Sequence, residues 1–163
     1  MIILLLKPMI SFIWPIIALY KRIGDFIRTK KEMRGVEFVR VRYDNDGSYK
    51  YVNSNSDELS ILNFFLRNDC SDSGIVWFKE AVMDETWPGG FGKLTTIEQE
   101  DGYIYMSNLY PDEDEEYHIE IKMTVEQFIQ AIDSWQAIIA LKEKPKEVII
   151  KRKDDQFTFE THD

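Results

Sequence analysis

Three short turn signals organise most of this chain, because each lies between two runs that are typical of β-strands. They are Asp46-Gly47, Asp101-Gly102 and Asp154-Asp155. Glycine accepts the positive φ that a tight hairpin turn requires. In flanking runs such as VEFVRVRY, YIYMS and VIIKRK, β-branched and aromatic residues are frequent and apolar residues tend to alternate with polar ones. The pattern therefore predicts local antiparallel pairing.

Two segments have helical periodicity and a start signal. In NSDELSILNFFLRND, Asn55 is the predicted N-cap, Glu58 follows three residues on, and the predicted helix covers residues 56–67. Thr124 and Gln127 form a capping-box pattern before VEQFIQAIDSWQAIIALKEK, which Pro145 ends. The apolar face predicted for this second helix consists of Val125, Phe128, Ile132, Trp135 and Ile139.

Between these helices the sequence predicts further strands. GIVWFKEAVM, from Gly74 to Met83, is interpreted as a largely buried strand, and WPGGFG as the turn that breaks it. YHIEIKM is another alternating run. The βαβ rhythm of a parallel sheet is missing from the pattern. The expected fold class is therefore α+β, with an antiparallel sheet built from hairpins and two main helices packed on one face.

The charge is distributed unevenly along the chain, whose formal net charge is −9. Residues 1–32 carry six basic and two acidic side chains (net +4), whereas residues 33–163 carry fourteen and twenty-seven (net −13). We therefore expect an N-terminal segment, 1–32, and an acidic domain, 33–163. A domain of this sign repels phosphate backbones, so nucleic acid is not an expected partner. A protein with a basic surface is the expected partner.

The N-terminal segment is apolar over most of residues 2–20 and is followed by a basic cluster. As a helix this run would rise about 28 Å, close to the thickness of a bilayer core. The basic cluster would then keep the remaining chain on the cytoplasmic side. Because Lys7, Pro8 and Pro15 interrupt the run, three alternatives stay open. They are an amphipathic arm, a helix packed on the domain, and an extension before a start at Met33.

Catalytic and cofactor signatures are missing from the sequence, and the chain is predicted not to be an enzyme. It has two histidines and one cysteine, Cys70, and lacks G-x-S-x-G. His118 and Glu120 form the H-x-E pair of zinc deaminases without the P-C-x-x-C segment that completes that site. The glycines of WPGGFG lack a P-loop lysine-serine pair. We expect no cofactor and no metal. The lone cysteine suits a reducing cytoplasm.

The predicted partner-binding residues are an acidic run and nearby aromatic side chains. Carboxylates there would meet Lys and Arg side chains of a partner, and the aromatic rings would supply rigid contact area. A solvated loop is the alternative for the run, and calcium a weaker one, since the order of an EF-hand loop is missing. The aromatic side chains of the glycine segment could instead fold back onto the core. The predicted set is Asp112, Glu113, Asp114, Glu115, Glu116, Tyr110, Trp87 and Phe91.

The end of the chain carries a family resemblance. TVEQFIQAIDSWQAI followed by KPKEVIIKRKDDQF is a helix with a late tryptophan and then a terminal hairpin. With its size and acidic balance, the chain from residue 33 to 163 resembles small acidic bacterial immunity proteins of polymorphic or contact-dependent toxin systems. The resemblance implies a non-catalytic inhibitor that binds a cognate, basic toxin in the cytoplasm or at the inner membrane. The alternatives are a membrane-tethered cytoplasmic scaffolding or interaction domain, and a small enzyme with an unrecognised site.

Overall fold

The computed structural model describes residues 35–70, 74–109 and 119–163. Expectations for residues 1–32 and for the acidic run lie outside these ranges. The described residues from Val36 onward belong to one compact unit. They form eight strands and three helices, so the α+β class is confirmed. The elements are β1 (Glu37–Tyr43), β2 (Tyr49–Ser54), α1 (Asp57–Asn68), α2 (Gly74–Val82), β3 (Gly89–Phe91), β4 (Thr95–Glu100), β5 (Tyr103–Asn108), β6 (Glu120–Thr124), α3 (Val125–Ala140), β7 (Glu147–Lys153) and β8 (Gln156–His162).

The strands form two antiparallel sheets, so the expectation of a single sheet was wrong. One four-stranded sheet has the order β2-β1-β7-β8, and the other has the order β3-β4-β5-β6. The last hairpin pairs with the first one through β1 and β7, for example at Val39 and Ile150. The middle strands pair only with each other. Turn signals specify neighbours within a hairpin, but they do not specify which hairpins share a sheet.

All three predicted hairpin turns are confirmed. Gly47 has a φ of 85°, and the β1–β2 pairing closes at Tyr43 and Tyr49. Asp101 has a φ of 49° between β4 and β5. At the end of the chain, Asp154 and Asp155 have φ values of 48° and 59° and join β7 to β8. Positive φ at the centre of a two-residue turn matches the right-handed twist of the strands.

The start of α1 differs from the prediction by one residue. Ser56 is the N-cap, and its side chain accepts a hydrogen bond from the Leu59 amide at 3.3 Å. Asn55 instead binds the backbone of β1: its side chain accepts from the Phe38 amide at 2.6 Å and donates to the Val36 carbonyl at 3.0 Å. The predicted Asn55 cap was therefore wrong, because a long-range contact takes that side chain away from the helix.

The capping box of α3 is confirmed. The Gln127 amide donates to the Thr124 hydroxyl at 3.1 Å, and the Thr124 amide donates to the Gln127 side chain at 2.7 Å. The helix ends at Ala140, before Pro145. Trp135 belongs to the core, as predicted. The buried residues of α3 are Phe128, Ala131, Ile132, Trp135 and Ile138.

The core lies where helices meet both sheets. α1 packs against strands of each sheet, and α3 packs against β5, β6 and β8. The Phe65 ring of α1 is central to this packing. Its centroid lies 5.2 Å from that of Phe78 in α2 and 5.4 Å from that of Phe128 in α3. All three helices therefore share one aromatic cluster.

The segment GIVWFKEAVM is a helix, α2, so its interpretation as a buried strand was wrong. Phe78 and Val82, four residues apart, are buried, whereas Val76 and Trp77 are exposed. An apolar run of this length does not distinguish strand from helix by periodicity alone. The glycine segment also differs from the prediction, since Gly89–Phe91 forms β3 and pairs with β4.

Within the described ranges, each helix is too short or too polar to span a bilayer.

Candidate protein-binding surface

Helix α2 presents apolar side chains to solvent, whereas its Phe78 and Val82 are buried. Val76 is 55% exposed, Trp77 is 51% exposed and Met83, just after the helix, is 68% exposed. Together with Lys79 and Glu80, these residues are called the α2 surface. Tryptophan and methionine are enriched at protein interfaces, and tryptophan is frequent among the side chains that dominate binding energy.

The exposed indole of Trp77 rests on other aromatic rings. Its centroid lies 4.8 Å from that of Phe78 and 6.2 Å from that of Trp87, with the Trp87 ring nearly perpendicular at 88°. Trp87 is half-buried and packs against the core. A Cβ at Gly90 would lie 3.1 Å from the Trp87 ring, so glycine leaves room for that ring. Trp87 therefore packs against the exposed Trp77 ring and connects it to the core.

A groove of about 510 Å³ separates α2 from α3. The apolar side chains of Val76 and Met83 line one side, and Ile129 lines the other. Lys79 reaches across from α2 and bonds Asp133 of α3 at 2.5 Å. The Lys79 charge is thereby compensated. The described residues that line the groove are Val76, Lys79, Glu80, Met83, Ile129 and Gln136.

Carboxylates surround the end of α2. Glu80, Asp84 and Glu85 are all exposed. Hydrogen bonds from the hydroxyl and the amide of Thr86 lower the pKa of Asp84, so its carboxylate is ionised at neutral pH. The described residues contain no ion-pair partner for Glu80. The α2 surface is therefore apolar at its centre and negative at its edge.

The outer face of the second sheet is a weaker candidate. The Lys122 ammonium lies 4.1 Å from the centre of the Tyr103 ring and 5.0 Å from that of Tyr105. A hydrogen bond with Tyr105 raises the pKa of Lys122. Glu98 and Glu100 lie opposite these tyrosines on β4. On this face the Lys122 ammonium already contacts both tyrosine rings. The α2 surface, in contrast, leaves apolar side chains exposed to solvent.

The predicted binding residues differ in how much of them the structure describes. Trp87 is half-buried, as described above, and Phe91 contributes its backbone to β3 while its side chain lies outside the described part. Tyr110 and the acidic run at 112–116 lie outside it as well.

The Pro88 carbonyl, next to Trp87, accepts a hydrogen bond from the Gln99 amide near the end of β4, so the segment that carries Trp87 is tied to this strand.

The exposed apolar members of the α2 surface, Val76, Trp77 and Met83, were missed by the sequence analysis. An alternating strand would have placed Val76 and Phe78 on one face, whereas the helix separates them. The spacing of Phe78 and Val82 fits a helix, but a short run that is apolar at most positions does not stand out from a strand by periodicity.

The described residues include no group of three or more His, Cys, Asp or Glu side chains that could hold a metal ion. Burial, reinforced by the neighbouring Asp69 charge, raises the pKa of Cys70, so this thiol is a poor nucleophile. His162 is exposed near the end of β8.

Comparison of the chain with protein families, with curated proteins and with solved structures gave no significant match. The α2 surface and the charge distribution are therefore the basis on which a function can be argued.

Proposed function

We propose that this chain is a non-catalytic immunity protein that binds and neutralises a cognate bacterial toxin with a basic surface. The observation that carries the proposal is the α2 surface. Val76, Trp77 and Met83 are exposed together on one short segment, beside the exposed carboxylates of Glu80 and Asp84. Apolar anchors inside a charged rim are the usual anatomy of a specific protein interface.

The two parts of this surface have different roles in binding. Truncation of a tryptophan that acts as a binding hot spot at an interface centre costs about 2 kcal/mol or more of binding free energy. The rim carboxylates raise the association rate with a basic partner. The acidic run and Tyr110 belong to the same proposal as a second, steering contact. Trp87 acts through its support of Trp77, and Phe91 extends the same segment.

The proposed place of action is the cytoplasm. Residues 2–20 supply association with the inner membrane in this proposal, since they carry the apolar run and precede the basic cluster. The net charge of −13 over residues 33–163 favours a basic protein over nucleic acid.

The test compares two aromatic side chains of equal exposure. Trp77 in α2 and Tyr51 in β2 are both 51% exposed. Each is changed to alanine, and the variants are produced together with the product of the adjacent reading frame. Growth measures protection, and surface-based kinetics with the purified product measure binding. For Trp77→Ala we expect dissociation about 30-fold faster, which corresponds to about 2 kcal/mol, and loss of protection. Tyr51→Ala should bind and protect like the unchanged chain.

Failure of the unchanged chain to bind this product or to protect cells would contradict the proposal. Such a result is what the alternative of a membrane-tethered scaffolding domain predicts. Equal losses in Trp77→Ala and Tyr51→Ala, with both variants folded, would show that the α2 surface is not the anchor.

A further inference from the structure

The groove between α2 and α3 is about two helical turns long on its α3 side. There Ile129 and Gln136 are seven residues apart, and on the other side Val76 of α2 and Met83, just after that helix, have the same separation in the sequence. Seven residues of helix rise about 10 Å. A helix lying in the groove would place its residues i, i+4 and i+7 along this length, because these positions share one face.

The charges of the groove are asymmetric. Lys79, the only cationic side chain among the described lining residues, is bonded to Asp133. Glu80 lines the groove without an ion-pair partner in the described ranges, and Asp84 and Glu85 follow at its end. A ligand that fits this pattern has an apolar stripe for the groove and cationic side chains beside it. Complementary charges of this kind also orient the ligand as it arrives.

We propose that the groove binds an amphipathic helix of the partner protein, with an apolar stripe at i, i+4 and i+7 and a lysine- or arginine-rich flank that meets Glu80 and Asp84. This inference rests on the proposed function, since it names the structural element of the toxin that the α2 surface receives. Met83 suits such a role, because its unbranched thioether side chain adapts to different apolar surfaces. Binding of an amphipathic helix in an apolar groove is a general recognition mode.

The probe is a synthetic peptide of about 18 residues, long enough to form a helix in water. It carries leucine at i, i+4 and i+7, lysine on the flanks and alanine elsewhere. The full chain is labelled with ¹³C at the methionine methyl groups and titrated with this peptide. Met83 is exposed, whereas Met106 and Met123 are buried. We expect saturable movement of the Met83 resonance, identified by its loss in Met83→Leu, and little change at Met106 and Met123.

Two matched substitutions locate the binding site. Val76→Lys places a positive charge in the groove, at an exposed helical position, where it would repel the lysines of the peptide. Val52→Lys makes the same change on the exposed edge strand β2. Val76→Lys should raise the Kd of the peptide at least tenfold, and Val52→Lys should leave it unchanged. A peptide with glutamate in place of lysine should bind at least tenfold more weakly than the basic one.

Binding that leaves the Met83 resonance unmoved, or that Val76→Lys and Val52→Lys weaken equally, would overturn the groove proposal. Absence of peptide binding at millimolar concentration would overturn it as well. These results are distinct from failure of the proposed function. If the chain protects cells but the Met83 resonance does not respond to the peptide, only the groove proposal is contradicted. If the Met83 resonance responds but cells are not protected, only the proposed neutralisation of a toxin is contradicted.

Discussion

The Asp69 carboxylate accepts a hydrogen bond from the Thr95 hydroxyl at 3.0 Å and thereby joins the end of α1 to the first residue of β4. The same carboxylate accepts a hydrogen bond from the Lys93 amide. Asp69 and Thr95 are both buried. A buried carboxylate of this kind contributes to stability only while its hydrogen bonds are intact.

Asp69→Ala should lower the free energy of unfolding by about 2 kcal/mol, because it leaves the Thr95 hydroxyl and the Lys93 amide unsatisfied. Urea denaturation measures the loss. Asp69→Asn should cost less, since its amide oxygen can still accept one of the bonds. Thr95→Val and the double variant complete a thermodynamic cycle. Additive losses would show that Asp69 and Thr95 do not depend on each other.

Trp135→Ala should cost about 3 to 5 kcal/mol, the usual range for emptying a buried aromatic site. Trp135 is 2% exposed, and its ring centroid lies 5.3 Å from that of Tyr49. Thermal or urea unfolding measures the change, which could unfold a domain of marginal stability. A variant with near-native stability and lost partner binding would instead place Trp135 in the interface.

Stability should fall at alkaline pH as Tyr49 ionises. Burial, with a smaller contribution from Tyr43, raises the pKa of Tyr49 to about 12, against a value near 10 in the unfolded chain. The unfolded state therefore loses this proton first, so the stabilisation is complete below about pH 10 and is lost as the pH rises toward 12.

Tyr49→Phe removes the ionisable hydroxyl and so measures its contribution to the pH dependence of stability. The Tyr49 hydroxyl donates to the Pro145 carbonyl at 3.1 Å, so the variant should be about 1 kcal/mol less stable at neutral pH. Its urea midpoint should then fall less steeply between about pH 10 and pH 12. Tyr51→Phe, at an exposed position, serves as the control. Equal pH profiles for all three proteins would contradict the assignment.

Charge reversal at Asp112, Glu113 and Asp114 should leave the free energy of unfolding nearly unchanged, because like charges in a solvated loop contribute little to stability. Association with the partner should become slower, and its dependence on salt should flatten. Kinetics at low and high salt measure both effects. Unchanged kinetics and full protection of cells would assign the run to solvation alone.

The N-terminal segment can be tested by fractionation. If residues 2–20 anchor the chain, the full-length protein should sediment with membranes and resist carbonate extraction, whereas a shortened chain that begins at Met33 should be soluble and folded. A soluble full-length protein would remove the anchor, and unfolding of the shortened chain would show that the segment packs on the domain.

The sequence by itself determined the features that depend on neighbouring residues. The turns at Asp46-Gly47, Asp101-Gly102 and Asp154-Asp155 follow from local backbone preference. The capping box of Thr124 and Gln127 is a contact across three residues, and the burial of Trp135 follows from helical periodicity. Each signal is complete within a short window, so each could be recognised before the structure was known.

Only the tertiary structure decided which hairpins share a sheet and which apolar side chains remain exposed. The division into two sheets depends on β1 meeting β7, a pairing between residues far apart in the sequence. The α2 surface depends on a competition for burial, in which Phe78 and Val82 reach the aromatic cluster around Phe65 while Val76 and Trp77 remain outside. The residue types alone do not show which of these apolar side chains are buried, because the space available in the core is a property of the whole fold.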